Sequence, residues 1–359
     1  MFTKSAVAAI AAALVASTIA DGLRSRGPIM LGTAFFFAYK ILLWALTIVG
    51  LAAVALGFML ATPLKGVPVL ESISRTDRAV DRSDLPAVDR FQARDGTTLG
   101  YRHYPAHQPA VPRAAVLVHG SSGSSIAVHA LAKALAAVGV ETFAPDIRGH
   151  GVSGTRGDIG YLGQLEDDMA DFVSEIRKTR PDVPVTLLGH SAGGGFVLRV
   201  MASQVGAQFE RAIMIAPYLG YDAPTSRANS GGWAQADVPR FIALTLLGKL
   251  GFHGADALAT LAFAVPPDSK MMLTDRYSYR LMQSFYIRDF REDITAANRP
   301  LALIAAGDDE LMLSDQYQAA VGPSVPVRVI PGVNHMAVLS APDAVAAIAR
   351  DVANYPPAR

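Results

Sequence analysis

Gly189-His190-Ser191-Ala192-Gly193 is a G-x-S-x-G segment set between an apolar run, Val183 to Leu188, and a second one, Ala192 to Ala202. Small residues on both sides of a serine permit a sharp strand-to-helix turn. Such a turn presents the hydroxyl at the strand's carboxyl end, ready to attack a carbonyl. The bare pattern is weak: at about 7% for each fixed residue it arises by chance in roughly one chain in eight of this length. The apolar strand before it and the helix opening inside it sharpen the reading to a nucleophile elbow. The helix N-terminus would then point its dipole and free N–H groups at a developing oxyanion. The bland alternative is a glycine-rich turn without chemistry.

A nucleophilic serine needs a base, and on a strand–turn–helix elbow the order is serine, acid, histidine. The histidines are at 103, 107, 119, 129, 150, 190, 253 and 335. Only His253 and His335 follow Ser191 with useful separation, and no strand-end carboxylate precedes His253. His335 lies just past a last strand, Val327 to Ile330, in a loop that can reach across the sheet edge. The acid should end the run Leu301 to Ala306, which continues as Gly307-Asp308-Asp309-Glu310. Three carboxylates compete there. An oxyanion hole would take the N–H of Ala192 and a second N–H from His119-Gly120-Ser121-Ser122-Gly123, where Ser121 is the candidate.

These residues need a sheet to hold them. Ala114 to Val118, Val140 to Ala144, Val183 to Leu188, Arg211 to Ala216, Leu301 to Ala306 and Val327 to Ile330 read as strands. Ile126 to Val138, Leu165 to Arg177, Ala192 to Ala202 and Pro342 to Val352 read as helices between and after them. Apolar strands alternating with helices mean a mostly parallel sheet covered on both faces. Phe91 to Arg94 and Thr97 to Tyr101, joined by Asp95-Gly96, read as a hairpin with a primed turn.

The first 64 residues hold only five charged side chains: Lys4, Asp21, Arg24, Arg26 and Lys40. Ile41 to Pro63 is uncharged and, as a helix, about 34 Å long, enough to cross a hydrocarbon core of about 30 Å. Ser5 to Ala20 is shorter: a second span, a signal-peptide core, or sequence of little function. One span places the C-terminal domain outside and two return it to the cytoplasm. Residues 65–90 read as a charged tether. The formal net charge of +1 gives no sign of a nucleic-acid partner, and the lack of cysteine excludes disulfides, thiolate metal sites and a Cys nucleophile.

His119-Gly120, the stretch Asp146-Ile147-Arg148-Gly149-His150-Gly151-Val152-Ser153, the elbow, and Pro331 to His335 together resemble the α/β-hydrolase superfamily. The nearer resemblance is to its monoacylglycerol lipase/lysophospholipase, or serine aminopeptidase-like, branch, over about residues 90–355. The resemblance implies an α/β-hydrolase core over 91–217 and 300–359; the insertion at 218–299 reads as a helical cap in which Val238 to Phe252 is a strongly apolar helix. It implies an ester-type acyl substrate, and neither cofactor nor metal. The family's usual interval from a proline to the acid, counted from Pro300, favours Asp309. Ala306 stands where a glycine is usual, which keeps Asp308 in play. The expectation is therefore a membrane-tethered serine hydrolase on a lipid ester, located at a bacterial cytoplasmic membrane. A peptidase or amidase on the same triad and a silent ligand-binding module are the alternatives.

Overall fold

The computed structural model describes residues 28–107, 109–266, 269 and 271–356. Eight strands form the main sheet: β1 (Val88–Gln92), β2 (Thr98–Tyr104), β3 (Ala114–Val118), β4 (Glu141–Pro145), β5 (Val185–His190), β6 (Arg211–Ile215), then Leu301–Ala306 and Val327–Ile330. Three short cap strands precede these last two in the chain: β7 (Ala234–Ala236), β8 (Ala259–Phe263) and β9 (Arg276–Ser278). The last two are therefore β10 and β11. The main-sheet order is β1-β2-β4-β3-β5-β6-β10-β11, parallel except around β2, which runs antiparallel to both its neighbours.

Every residue of β3 and of β5 is buried, as a parallel sheet covered on both faces requires. Alternation decides which side each residue serves. Ala114, Val116 and Val118 pack with Phe172 of the helix Gln164–Thr179 and with Phe196 and Val200 of the helix Ala192–Ala202. Ala115 and Leu117 pack with Leu131 and Leu135 of the helix His129–Ala137 and with Ile348 of the C-terminal helix Pro342–Ala353. Because β5, β10 and β11 run in one direction, their carboxyl ends share one edge. Ser191, Asp309 and His335 follow those three ends.

Four expectations change in detail. In the hairpin only Gly96 has positive φ, at 81°, with its N–H donating to Ala93 O, so the turn is a type I turn closed by a left-handed glycine. The insertion at 218–299 is mixed rather than helical. Its strands β7, β8 and β9 form an antiparallel sheet, and the end members have three residues each, too short to show a period. The apolar stretch Val238 to Phe252 is helical over Val238–Lys249, started by the Asp237 side chain and stopped near Gly251, whose φ is 89°. The tether at 65–90 contains a helix, Glu71–Arg78, and the start of β1. Ile73 is buried in the core beside Leu198 and Leu219. A single buried isoleucine among charges leaves no apolar period to read.

The chain divides after Ala61 into two compact units. The N-terminal unit contains the helix Pro28–Ala61. Its part Phe35–Ala61 is long and apolar enough to cross a membrane, a test that a signal sequence also meets. The helix begins earlier than Ile41 because Phe35 to Tyr39 continue the apolar run. It ends short of Pro63, since a residue preceding proline avoids helical backbone. The segment Ser5 to Ala20 lies outside the described residues.

Candidate active site

Ser191 joins β5 to the helix Ala192–Ala202 with φ 54° and ψ −123°. For a side chain that conformation costs about 1–3 kcal/mol, so the surroundings must impose it. The Ser191 N–H donates to Ile215 O, and Ser191 O accepts from the N–H groups of Gly194 and Tyr218. The flanking glycine is a steric necessity: a Cβ on Gly193 would lie 2.2 Å from His119 O.

His335 occupies the loop after β11 and shares a 2.8 Å hydrogen bond between its Nδ1 and Asp309 Oδ2. Asp309 Oδ1 accepts from the N–H groups of Leu311 and Met312, both at 2.8 Å. Burial works against the Asp309 charge, but the His335 ring and these two N–H donors hold its carboxyl below the usual carboxylate range. Asp308 is exposed. Glu310 Oε2 accepts the backbone N–H of His335 and so braces the loop instead of meeting the ring. Of the three competing carboxylates, the one that reaches the histidine is Asp309. The neighbouring His190 bonds the His335 carbonyl through Nε2 at 2.9 Å. Burial, with His335 nearby, lowers the His190 pKa to about 3, so it stays neutral and serves as a strut.

Among the described residues, the N–H groups of Ala192 and Ser121 have no intramolecular acceptor. The N–H of Ser122, with φ 67°, donates to Tyr277 Oη at 2.7 Å, and the Gly123 N–H donates to Gly120 O. In this loop the N–H groups of Ser122 and Gly123 are thus engaged, and that of Ser121 is free to face a ligand. The Ser121 hydroxyl accepts from Trp233 Nε1 at 2.9 Å.

Ser191 opens onto two cavities. One, of about 730 Å³, is lined largely by cap residues such as Phe241, Ile242, Leu261, Met282 and Ile287. The other, of about 340 Å³, is lined by Ser74, Asp77, Arg82, Gly123 and Met271 among others. Ser121, Ser191, Trp233 and Leu311 belong to both. Ala192 borders the larger cavity, whereas His335 borders the smaller one, a largely apolar space with Ser74, Asp77 and Arg82 on one wall.

The family model described as serine aminopeptidase, S33 (Hydrolase_4) matches residues 110–339, well over half of the chain. The chain belongs to this family. Human monoglyceride lipase is 31% identical over 155 residues, 43% of this chain and 49% of the lipase. The monoacylglycerol lipase of Mycolicibacterium smegmatis is 35% identical over 92 residues, 25% of this chain and 33% of that enzyme. The chain thus aligns with about half the length, or less, of these curated relatives. Among solved structures, a soluble variant of the Saccharomyces cerevisiae monoglyceride lipase superposes with a TM-score of 0.58 at 17% identity. That match covers 77% of this chain and 97% of the yeast one. At that identity the likeness establishes the α/β-hydrolase fold.

Within this α/β-hydrolase the stretch Asp146 to Ser153, the most specific local resemblance, supports the site from behind. Asp146 Oδ1 accepts the Ser125 N–H and Oδ2 the Val152 N–H. Arg148 pairs with Asp168 at 2.7 Å and with Asp95 at 3.0 Å. The buried His150 bonds Tyr277 Oη through Nε2. Burial first, then His119 beside it, push the His150 pKa well down, so the ring is neutral. Tyr277 therefore ties the family stretch to the loop carrying Ser121. Nothing in the spacing of a cap tyrosine announces that role. Tyr277→Phe should cost about 1–3 kcal/mol, because the Ser122 N–H is left buried without an acceptor. Urea denaturation would measure it, and a midpoint equal to that of the parent protein would show the bond to be dispensable.

Proposed function

We propose that the chain is a serine hydrolase cleaving a carboxylic ester with a long acyl chain, of the monoacylglycerol or lysophospholipid type. Ser191 Oγ attacks the carbonyl while His335 takes its proton and Asp309 orients the imidazole. The N–H groups of Ala192 and Ser121 receive the oxyanion. Collapse of the tetrahedral adduct passes the proton from His335 to the departing alcohol oxygen and leaves an acyl-Ser191. Water, activated by His335, then releases the acid and restores the serine.

The observation that carries this reading is the division of space at Ser191. The base must stand beside the leaving group, and His335 borders the smaller cavity, one wall of which carries Ser74, Asp77 and Arg82. The acyl chain then takes the other side, where the large cavity is lined by aliphatic and aromatic side chains. The names of the lipase relatives agree with such a substrate. The helix Pro28–Ala61 supports a membrane anchor, which would hold the enzyme at high local concentration near lipid.

A second reading, hydrolysis of a peptide bond, draws on the description of the family model. The apolar acyl-side lining favours the ester. A fluorophosphonate probe applied to fractionated cells expressing the full chain tests both the nucleophile and the anchor. The labelled band should appear in the membrane fraction and vanish in Ser191→Ala. Absence of label on folded parent protein would favour a silent binding module, and label confined to the soluble fraction would remove the anchor. Faster turnover of amino-acid anilides than of matched p-nitrophenyl esters would favour the peptidase.

A further inference from the structure

The cavity on the His335 side owes its polar wall to a segment outside the match to the family model, which begins at residue 110. The helix Glu71–Arg78 and the turn after it supply Ile73, Ser74, Asp77, Arg78 and Arg82 to its lining. The segment is fastened at several points. Ile73 is buried in the core. The Leu70 N–H donates to Ala264 O in the cap, and Asn334 Nδ2 donates to Thr76 Oγ1 at 3.0 Å. Asn334 is the residue immediately before His335, so the helix is bonded to the loop that carries the base. This wall is a fixed part of the site.

Its chemistry is specific. Arg82 faces its own segment: it donates to the carbonyls of Asp77 and Val80, to Ile126 O, and to Asp77 Oδ1 at 2.7 Å. These bonds hold the Asp77 carboxylate in place and occupy one of its oxygens. Among the described residues Asp77 Oδ2 and Ser74 Oγ have no hydrogen-bond partner, and both residues line the cavity. Arg78 is exposed and paired with Glu71. A fixed carboxylate oxygen is an acceptor only, and a hydroxyl beside it can donate or accept. Such a wall suits a leaving group that carries hydroxyl donors and disfavours one that carries a phosphate close to the carboxylate.

Building on the serine hydrolase reading, we propose that the segment 70–82, through Asp77 and Ser74, selects a hydroxyl-bearing alcohol such as glycerol as the leaving group of the ester. Asp77 is a specificity residue that acts on the leaving group, separate from the proton transfer by His335. A matched ester lacking the free hydroxyls leaves Asp77 Oδ2 desolvated and unpaired, which lowers its kcat/KM.

The test uses the full chain in detergent with decanoyl esters of glycerol, methanol and glycerol phosphate. The parent protein should prefer the glyceryl ester. Asp77→Asn keeps an oxygen for Arg82 but places an amide donor where Oδ2 stood. It should lower the glyceryl-to-methyl ratio of kcat/KM about tenfold, mainly through KM, while the protein still takes the fluorophosphonate label on Ser191. Ser74→Ala should move the ratio in the same direction by less. An unchanged ratio in both variants, with labelling intact, would overturn the proposal and leave the hydrolase reading standing. Preference of the parent protein for the glycerol phosphate ester would overturn the choice of leaving group. A parent protein that takes no label would defeat the hydrolase reading and this inference with it.

Discussion

Asp309→Asn should lower kcat by about 10⁴-fold and leave KM within a few-fold, whereas Asp308→Asn should change either by no more than about twofold. Asp309 Oδ2 lies 2.8 Å from His335 Nδ1, and Oδ1 is engaged by the N–H groups of Leu311 and Met312. An asparagine would keep its carbonyl on those two donors and turn its NH₂ toward the ring. Nδ1 would then have to accept, which protonates Nε2 and removes the base from Ser191. Loss of the carboxylate also strips the imidazolium of its counter-charge in a buried site. Asp308 is exposed, and what it contributes is a backbone N–H donated to Val333 O, which the amide substitution does not alter. Steady-state kinetics on a short p-nitrophenyl ester decides the matter, because such a substrate needs neither lipid presentation nor the far end of the acyl cavity. If Asp308→Asn proved the more damaging of the two, the assignment of the acid would be wrong.

Gly193→Ala should destabilise the protein by about 3 kcal/mol or more and abolish fluorophosphonate labelling. The added Cβ would come within 2.2 Å of His119 O and 3.0 Å of both His119 C and Val118 O. All three are backbone atoms at the end of β3, a fully buried central strand, so no flexible side chain can give way. Relief would require β3 to separate from the elbow, and that movement would carry off the loop with Ser121. Gly254→Ala is the matching control. A Cβ there meets nothing within 4 Å, so its effect should stay within about 0.5 kcal/mol. Urea midpoints compare the pair. Equal midpoints for Gly193→Ala and the parent protein would mean that the elbow is looser than these distances state.

The main architecture was legible because its signals are short-range. β10 and β11 cover Leu301–Ala306 and Val327–Ile330, the bounds expected of them, and the helix after Ser191 covers Ala192–Ala202. Interior parallel strands are covered on both faces and so mostly apolar, a mark no neighbour has to supply, whereas the edge strand β11 keeps Arg328 and Val329 exposed. The pairing of serine and histidine as candidates was legible from chain order alone. The acid was narrower: residue types left Asp308, Asp309 and Glu310 in competition, and only the counting implied by the family resemblance favoured Asp309. The fold separates them by direction, since consecutive residues at a strand end point to different sides. One meets the His335 ring, one faces solvent, and one holds the His335 backbone.

What only the tertiary structure decided lies in long-range contacts. Tyr277 reaches the Ser122 N–H across 155 positions, and Asn334 reaches Thr76 across 258. The segment 65–90 reads as a tether because its charges dominate, yet one buried isoleucine and a few hydrogen bonds fold part of it against the site. The cap strands β7 and β9, three residues each, become strands only because β8 lies between them to complete their hydrogen bonds. The sequence by itself determined the elbow, the candidate base and the sheet that carries them, because each rests on local sterics and apolar pattern. The tertiary structure decided which carboxylate meets the His335 ring, that two cavities meet at Ser191, and that the segment carrying Ile73 to Arg82 lines one of them. Those outcomes depend on partners far apart in sequence, and no local periodicity encodes them.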